Sequence, residues 1–344
     1  MSVPPTGGSI PVTLIPGDGI GPEIVSAVLH ILDALGAPFV WERHQAGLAA
    51  FEATGNPLPD ETLESARRTK LILKGPLTTP IGTGFRSANV RMREELDLYA
   101  NVRPARTIVP GRYDNIDIVL IRENLAGIYI ALERYIKIGD DPHAVAISTS
   151  ENTKEESRRI IEYAFEYAVK HGRKKVTVVH KANILKALTG IFLEAGREVA
   201  KRYEGRVAMN DLIVDACAMR LVLNPESFDV LVTTNLFGDI LSDEIAGLVG
   251  GLGLAPGANI GPEVAMFEAV HGSAPDIAGK GVANPLSLLL SSCLMLEHVG
   301  RPELAEKLRK AIDTTVNGQK IRTPDLGGSA STMDFAKAIA ANLG

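Results

Sequence analysis

The stretch IPVTLIPGDGIGPEIVSAVLHILDALG, residues 10–36, carries the first decision about the fold. Ile10 to Ile15 is a short apolar run of strand length. Gly17-Asp18-Gly19-Ile20-Gly21 is a turn, and Pro22 suits a first helical position, where a missing N–H matters least. Ile24, Val25, Val28, Leu29, Leu32 and Leu35 then recur at helical spacing, and Gly36 can end the helix. The glycines suggest a dinucleotide fingerprint, but the G-x-G-x-x-G spacing is absent. No acidic residue closes a strand about 20 positions on, where Phe39-Val40-Trp41-Glu42-Arg43 stands. The segment therefore reads as a strand turning tightly into a helix.

Outward from this unit the pattern repeats. Leu71-Ile72-Leu73, Ile116 to Ile121, Val176 to Val179 and Val230 to Thr233 are further apolar strands. Thr153-Lys-Glu-Glu156 is a capping box opening a long helix towards Val169, closed by Gly172. Glu303 to Thr314 reads as a late helix. Strands alternating with helices predict an α/β fold with a largely parallel sheet. Tyr135 to Thr149 has no clear helical period and contains Gly139-Asp-Asp-Pro142, so it is expected to be an excursion from the α/β body. No flexible linker divides the chain, and a second unit is expected to be inserted within the first.

Composition excludes several classes. With 36 Lys+Arg against 41 Asp+Glu the net charge is −5, and no basic tract argues for nucleic acid. The long uncharged run between Glu244 and Glu263 is broken by glycines and prolines, so it is not a membrane helix. The first residues lack a basic segment followed by an apolar one, as a secretory signal would have. Two cysteines, Cys217 and Cys293, form no disulfide framework. A reducing, cytoplasmic compartment is the expectation.

Four segments carry candidate chemistry. Ser87, Asn89 and Arg93, spaced i, i+2, i+6 at a helix start, put a hydroxyl, an amide and a guanidinium within reach of one ligand. With Arg86, Arg103 and, on the next strand, Arg122, they suggest a small polyanionic substrate, because guanidinium forks match carboxylates. A solvated helix face with ordinary salt bridges is the plainer alternative. Asp239 and Asp243 share one face of a helix, and Asp215 lies upstream. Three aspartates suit Mg²⁺ or Mn²⁺, although one acidic pair also suits a helix N-terminus. Lys181 follows the strand Val176 to Val179, at the strand end where α/β folds bind ligands, or is simply a surface lysine. Tyr129 alone reads as a core or interface tyrosine. His271-Gly-Ser-Ala-Pro-Asp276-Ile-Ala-Gly-Lys-Gly-Val-Ala-Asn284 is a long connection. In it Asp276 could accept from a ribose, while His271 and Asn284 could frame an adenine.

Taken together, GDGIGPE (17–23), GPLTTP (75–80), SANVRMR (87–93), LDLYANVRP (96–104), VHKAN (179–183), NLFGDILSD (235–243), HGSAPDIAGKGVANP (271–285) and RTPDLGG (322–328) resemble the β-decarboxylating dehydrogenases. These are the isocitrate, homoisocitrate and 3-isopropylmalate dehydrogenases. The resemblance covers nearly the whole chain and is most like an NAD-dependent isocitrate dehydrogenase. It implies that family's fold rather than a Rossmann fold of the usual kind. Residues 1–100 with 254–344 would form the large cofactor unit. Residues 101–253 would form the smaller inserted unit, with an intersubunit clasp at about 135–150.

The resemblance also implies roles. Ser87 and Asn89 would hydrogen-bond the γ-carboxylate that marks isocitrate. Arg93, Arg103 and Arg122 would clamp substrate carboxylates. Asp239 and Asp243, with Asp215 of the partner subunit, would hold Mg²⁺ or Mn²⁺, so the site is shared in a homodimer or higher even oligomer. Tyr129 and the partner's Lys181 would move protons. Thr78, His271, Gly272, Ser273, Ala274, Asp276, Ile277 and Asn284 would hold the cofactor. Asp276-Ile277 favours NAD, since NADP enzymes of the family carry Lys-Tyr-like pairs there and a carboxylate repels a 2′-phosphate. In Arg122-Glu-Asn-Leu-Ala-Gly127, Leu125 and Ala126 replace the family's usual threonine and glutamate near Tyr129. That keeps homoisocitrate or another isocitrate analogue open as substrate. A noncatalytic subunit of a heteromeric isocitrate dehydrogenase is a further alternative, disfavoured because Tyr129, Lys181 and the three aspartates are all present.

Overall fold

The computed structural model describes residues 8–80, 84–111 and 113–344. Residues 1–7, which carry part of the signal-peptide reading, lie outside them. The chain forms two compact units. One comprises residues up to Leu98, Pro104–Asn115 and Ala246–Gly344; the other comprises Tyr99–Arg103 and Ile116–Ile245. Residues 104–115, expected in the inserted unit, thus belong with the first.

The first unit holds β1 (Ile10–Ile15), β2 (Phe39–Arg43) and β3 (Leu71–Lys74). The strand β4 (Ala100–Arg106) starts in the second unit and ends in the first. The second unit holds β5 (Asp117–Glu123), β6 (Gly127–Ile138), β7 (Asp141–Glu151), β8 (Lys175–His180), β9 (Ala208–Ile213) and β10 (Val230–Thr233). Two more strands of the first unit, β11 (Pro256–Ile260) and β12 (Ala265–Ala269), complete the set.

In the first unit the strand order is β2-β1-β3-β12-β11. Its pairs are parallel except β11–β12, which runs antiparallel, Pro256 facing Ala269 and Ile260 facing Ala265. In the second unit the order β5-β10-β8-β9 is wholly parallel. Buried parallel strands read as continuous apolar runs, and Val230-Leu231-Val232-Thr233 is buried at every position. The expected opening helix spans Gly21–Leu35, with Pro22 in its first turn and Gly36 at φ 72° closing it. The Thr153 capping box is formed in full ahead of the helix Lys154–Lys170. Ile160, Ile161, Ala164 and Phe165 of that helix are buried. The helix Ala88–Glu95 docks through Ala88 and Met92, one turn apart, into a core with Ile15, Leu58, Leu63, Ile72 and Met266. That docking fixes the backbone from which Asn89 and Arg93 project.

The excursion is a two-stranded antiparallel ribbon of β6 and β7, longer than the sequence suggests. Gly139, at φ 58°, makes its turn where Ile138 faces Asp141. Both faces are solvated in the single chain: Leu132 is 58% exposed, Tyr135 62% and Ile138 62%.

Candidate functional site

The part of the helix Asn235–Leu248 that belongs to the second unit, up to Ile245, gathers the charged cluster. Arg122, at the carboxyl end of β5, is 1% exposed. Its Nε and Nη2 donate to Asn235 Oδ1 at 3.0 and 2.7 Å, and its Nη1 pairs with Asp239 Oδ1. Tyr129 Oη donates to the other Asp239 oxygen at 2.6 Å, and the Arg122 guanidinium lies 5.1 Å from the Tyr129 ring centroid. Arg103 Nη1 bonds Ser242 Oγ and stands 3.4 Å from Asp243 Oδ1; its Nη2 is 3.6 Å from Asp239. Burial, and then the hydrogen bond to Asp239, raises the Tyr129 phenol above its ordinary range, so it stays a proton donor. Burial likewise raises the Asp243 carboxyl, against the pull of Arg103. A cation would relieve both effects, and two hard carboxylate oxygens on one helix face fit Mg²⁺ or Mn²⁺.

Asp215, at the start of the helix Val214–Leu223, pairs instead with Lys181 Nζ. That hydrogen bond holds its carboxyl below the usual range. Among the described residues no group of three or more carboxylates, imidazoles or thiols is placed for one metal ion. One chain therefore brings Asp239 and Asp243 together and keeps Asp215 apart from them. The turn at Leu125 and Ala126 is held by buried groups. Glu123 accepts from the backbones of Leu125 and Ala126 at 2.8 and 2.9 Å, and Asn235 Nδ2 donates to the Ala126 carbonyl at 3.1 Å. Ala126 is buried and Leu125 is half-buried beside it.

Close packing explains one glycine in this cluster. A Cβ at Gly238 would stand 2.6 Å from Arg122 Cγ and 2.7 Å from its Cβ. Because Arg122 is locked by Asn235 and Asp239, Gly238→Ala should destabilise the protein by about 1–3 kcal/mol, seen as a lower urea midpoint. Gly247 lies on the same helix, and a Cβ added there would meet nothing within 4 Å, so Gly247→Ala should stabilise by up to about 1 kcal/mol.

In the first unit the GDGIG turn does more than connect. Asp18 is 6% exposed, and its carboxylate accepts from the backbones of Leu48 (2.9 Å), Ala49 (3.0 Å) and Thr78 (2.8 Å). Thr78 Oγ1 and Ser273 Oγ are 2.7 Å apart, and Ile20 N–H donates to the Ser273 carbonyl at 2.9 Å. A Cβ at Gly19 would lie 2.0 Å from that carbonyl, so the turn requires glycine there. Glu23 accepts from the backbones of Gly281 and Ala283 at 3.2 and 3.0 Å. The 271–284 loop is thus fastened at both ends to residues 18–23. Asn284 donates to Asp325 at 2.9 Å and accepts from Leu286 N–H at 2.9 Å. Asp276 is exposed, Ile277 and Ala274 are half-buried, and Ala274 takes a left-handed backbone at φ 40°.

A buried charge group lies behind Arg93. Lys74, 1% exposed, pairs with Glu268 at 2.8 Å; Asn259 donates to Glu268 at 2.7 Å; Arg93 Nη2 reaches it at 3.5 Å. Burial alone would raise the Glu268 carboxyl, but Lys74 and Arg93 outweigh it and hold the group below the usual range. Sequence reading misses Asp18, Glu23, Lys74 and Glu268. Asp18 sits in a stretch that reads as a turn and Glu23 in the first turn of the helix after it, and Lys74 follows Leu71-Ile72-Leu73 with no spacing that marks it.

Among the described residues, the buried side-chain nitrogen and oxygen atoms without a hydrogen-bond partner are Asn89 Oδ1, Arg93 Nε and His271 Nε2. All three belong to candidate site residues of the first unit. Burial lowers the His271 imidazole, which therefore stays neutral. Ser87 stands at the N-cap of its helix without bonding it, and Thr79 Oγ1 donates to its hydroxyl at 3.2 Å.

A family model described as isocitrate/isopropylmalate dehydrogenase matches residues 11–339. The chain is 50% identical, over 97% of its length and 88% of the relative's, to an NAD isocitrate dehydrogenase catalytic subunit of Arabidopsis thaliana mitochondria. It is 47% identical to a 3-isopropylmalate dehydrogenase of Archaeoglobus fulgidus, covering 96% and 99% of the two chains. It is also 47% identical to an isocitrate/homoisocitrate dehydrogenase of Thermus thermophilus, covering 95% and 97%. A crystal structure of isocitrate dehydrogenase from Methylococcus capsulatus superposes with a TM-score of 0.94 at 50% identity, covering 97% of this chain and 99% of the other.

Proposed function

Because the chain belongs to the isocitrate/isopropylmalate dehydrogenase family of decarboxylating dehydrogenases, we propose that it oxidises and decarboxylates isocitrate to 2-oxoglutarate and CO₂ with NAD. The observation that carries this reading is a buried donor without a partner, Arg93 Nε, one turn along a short helix from Asn89, whose amide nitrogen can donate to a carboxylate. Buried polar atoms in native proteins are nearly always paired, so an unpaired one marks where a polar ligand belongs. An isopropyl group would offer no acceptor to the buried Arg93 Nε, a loss of about 1–3 kcal/mol.

Arg93, Arg103 and Arg122 bind the substrate carboxylates. The partner's Lys181, once its ammonium has passed a proton to solvent beside Asp215, would take the proton from the C2 hydroxyl. NAD, when held by the 271–284 loop, would supply the acceptor for the hydride that C2 loses. The ketone so formed lies β to the C3 carboxylate, which leaves as CO₂. Tyr129, kept protonated by burial and by Asp239, returns a proton to C3. Asp239 and Asp243, with Asp215 of the partner subunit, would hold Mg²⁺ or Mn²⁺, which when bound polarises the C2 oxygen and its carboxylate.

The reading as a homodimer or higher even oligomer is supported by the apolar side chains that a single chain leaves exposed. On the ribbon these are Leu132, Tyr135 and Ile138; on helices they are Met219, Leu223 and Ile240. A two-stranded ribbon is marginal alone in water and is stabilised when a second copy covers it. Cys217 and Cys293 are buried free thiols, each pushed up to about 12 by burial, which fits a reducing cytoplasm. No helix among the described residues is long and apolar enough to cross a membrane.

The decisive experiment is an NADH-formation assay with Mg²⁺ or Mn²⁺, comparing isocitrate, homoisocitrate and 3-isopropylmalate. Isocitrate with NAD should give the highest kcat/KM; a higher value for 3-isopropylmalate overturns the substrate assignment. The cofactor has its own test. Asp276→Asn should weaken NAD by about 1 kcal/mol and improve NADP, lowering the ratio of their kcat/KM values. Combining Asp276→Lys with Ile277→Tyr should lower it further. A constant ratio in folded variants removes Asp276 from cofactor recognition.

A further inference from the structure

His180 immediately precedes Lys181 and is 5% exposed. Its two ring nitrogens have different partners. Nδ1 lies 3.0 Å from the backbone nitrogen of Ala182, which can only donate. Nδ1 must therefore be the acceptor, and the neutral ring carries its proton on Nε2. Nε2 then donates to Asp211 Oδ2, 3.2 Å away on the adjacent strand β9. Asp211 is further approached by Arg197 at 3.7 Å, from the helix Gly190–Lys201. On the other side, the Lys181 backbone N–H donates at 3.1 Å to Thr189 Oγ1, a buried hydroxyl that donates to the Leu185 carbonyl at 3.2 Å. The backbone of Lys181 and Ala182 is therefore gripped by two buried side chains just where β8 ends. A lysine side chain has four rotatable carbons, so the direction of its ammonium depends on how well its backbone is fixed.

We propose that His180 is a positioning residue for Lys181: the Nδ1 acceptor clamps Ala182 N–H, and the Nε2–Asp211 bond fixes the tautomer that makes Nδ1 an acceptor. This rests on the reading of Lys181 as the proton-transfer group. The role is distinct from core filling, because it needs one nitrogen as an acceptor at one position. A misplacement of about 1 Å in such a group is enough to lose roughly 100-fold in rate.

Two substitutions separate the acceptor from the volume. In His180→Asn the side-chain oxygen can take the place of Nδ1. In His180→Gln the polar end reaches towards Asp211 and leaves Ala182 N–H without its partner. The asparagine variant should retain kcat within about threefold, and the glutamine variant should lose at least about tenfold, with KM for isocitrate and NAD nearly unchanged in both. The rate at which pyridoxal phosphate and borohydride label Lys181, read by mass spectrometry, should shift in the glutamine variant and not in the asparagine one. Equal kcat in the two variants, the reverse order, or unchanged labelling in both overturns the proposal. Lys181→Met assayed alongside tells the two readings apart. An active Lys181→Met enzyme removes the assignment of Lys181 itself. An inactive one with fully active His180→Gln removes only the role of His180.

Discussion

Lys181→Met chains co-refolded with Asp239→Asn chains are expected to recover activity that neither variant has alone. Each substitution should reduce turnover by about 10²–10⁴, the usual range for losing a proton-transfer group or its equivalent. The expectation of recovery comes from the arrangement within one chain. Lys181 and Asp215 form a pair of their own, while Asp239 answers to Arg122 and Tyr129. If a second copy supplies the first pair to the other, a hybrid dimer has one site with both defects and one with none. Random pairing of equal amounts makes half the dimers hybrid, so about a quarter of wild-type activity should return. Hybrids demonstrated by mass spectrometry that remain inactive would place Lys181 and Asp239 in the same chain's site.

Ser87→Asp should be nearly as damaging, through charge alone. The Ser87 hydroxyl is not used to cap its own helix, and it stands two residues before Asn89, whose Oδ1 is buried without a partner. A carboxylate there would face a substrate carboxylate. Like charges about 4 Å apart repel by roughly 4 kcal/mol at an effective dielectric of 20, close to a thousandfold in kcat/KM. NAD binding, measured by calorimetry, should change little. Near-normal isocitrate turnover in Ser87→Asp would take Ser87 out of substrate binding.

The sequence makes some elements plain and hides others for physical reasons. Ile10–Ile15 and its following helix are legible because the apolar period changes abruptly at glycines, and Thr153 declares its helix through a local box. The antiparallel pair β11–β12 is not, because Pro256–Ile260 lies in a glycine-rich run with no alternation, and its partner is chosen by tertiary packing. The full length of the ribbon is hidden because both of its faces are exposed in the single chain, which removes the alternation that signals a half-buried strand. Site residues are easiest to find where they recur in short polar motifs, as with Asp239 and Asp243. Lys74 and Glu268 are hard to find, since a buried ion pair between neighbouring strands that lie far apart in the sequence leaves no spacing to read.

The first unit is discontinuous in sequence, and this sets an order of events at the ribosome. Strand β12 lies against β3, and Glu23 reaches Thr332 across 309 positions. Residues 116–245 can close into the second unit as soon as they emerge, whereas β3 keeps an open edge until Ala265–Ala269 has been made. A nascent chain from which residue 245 has just emerged would therefore present one finished unit beside an unpaired strand. That species is the one for which a chaperone has most to do.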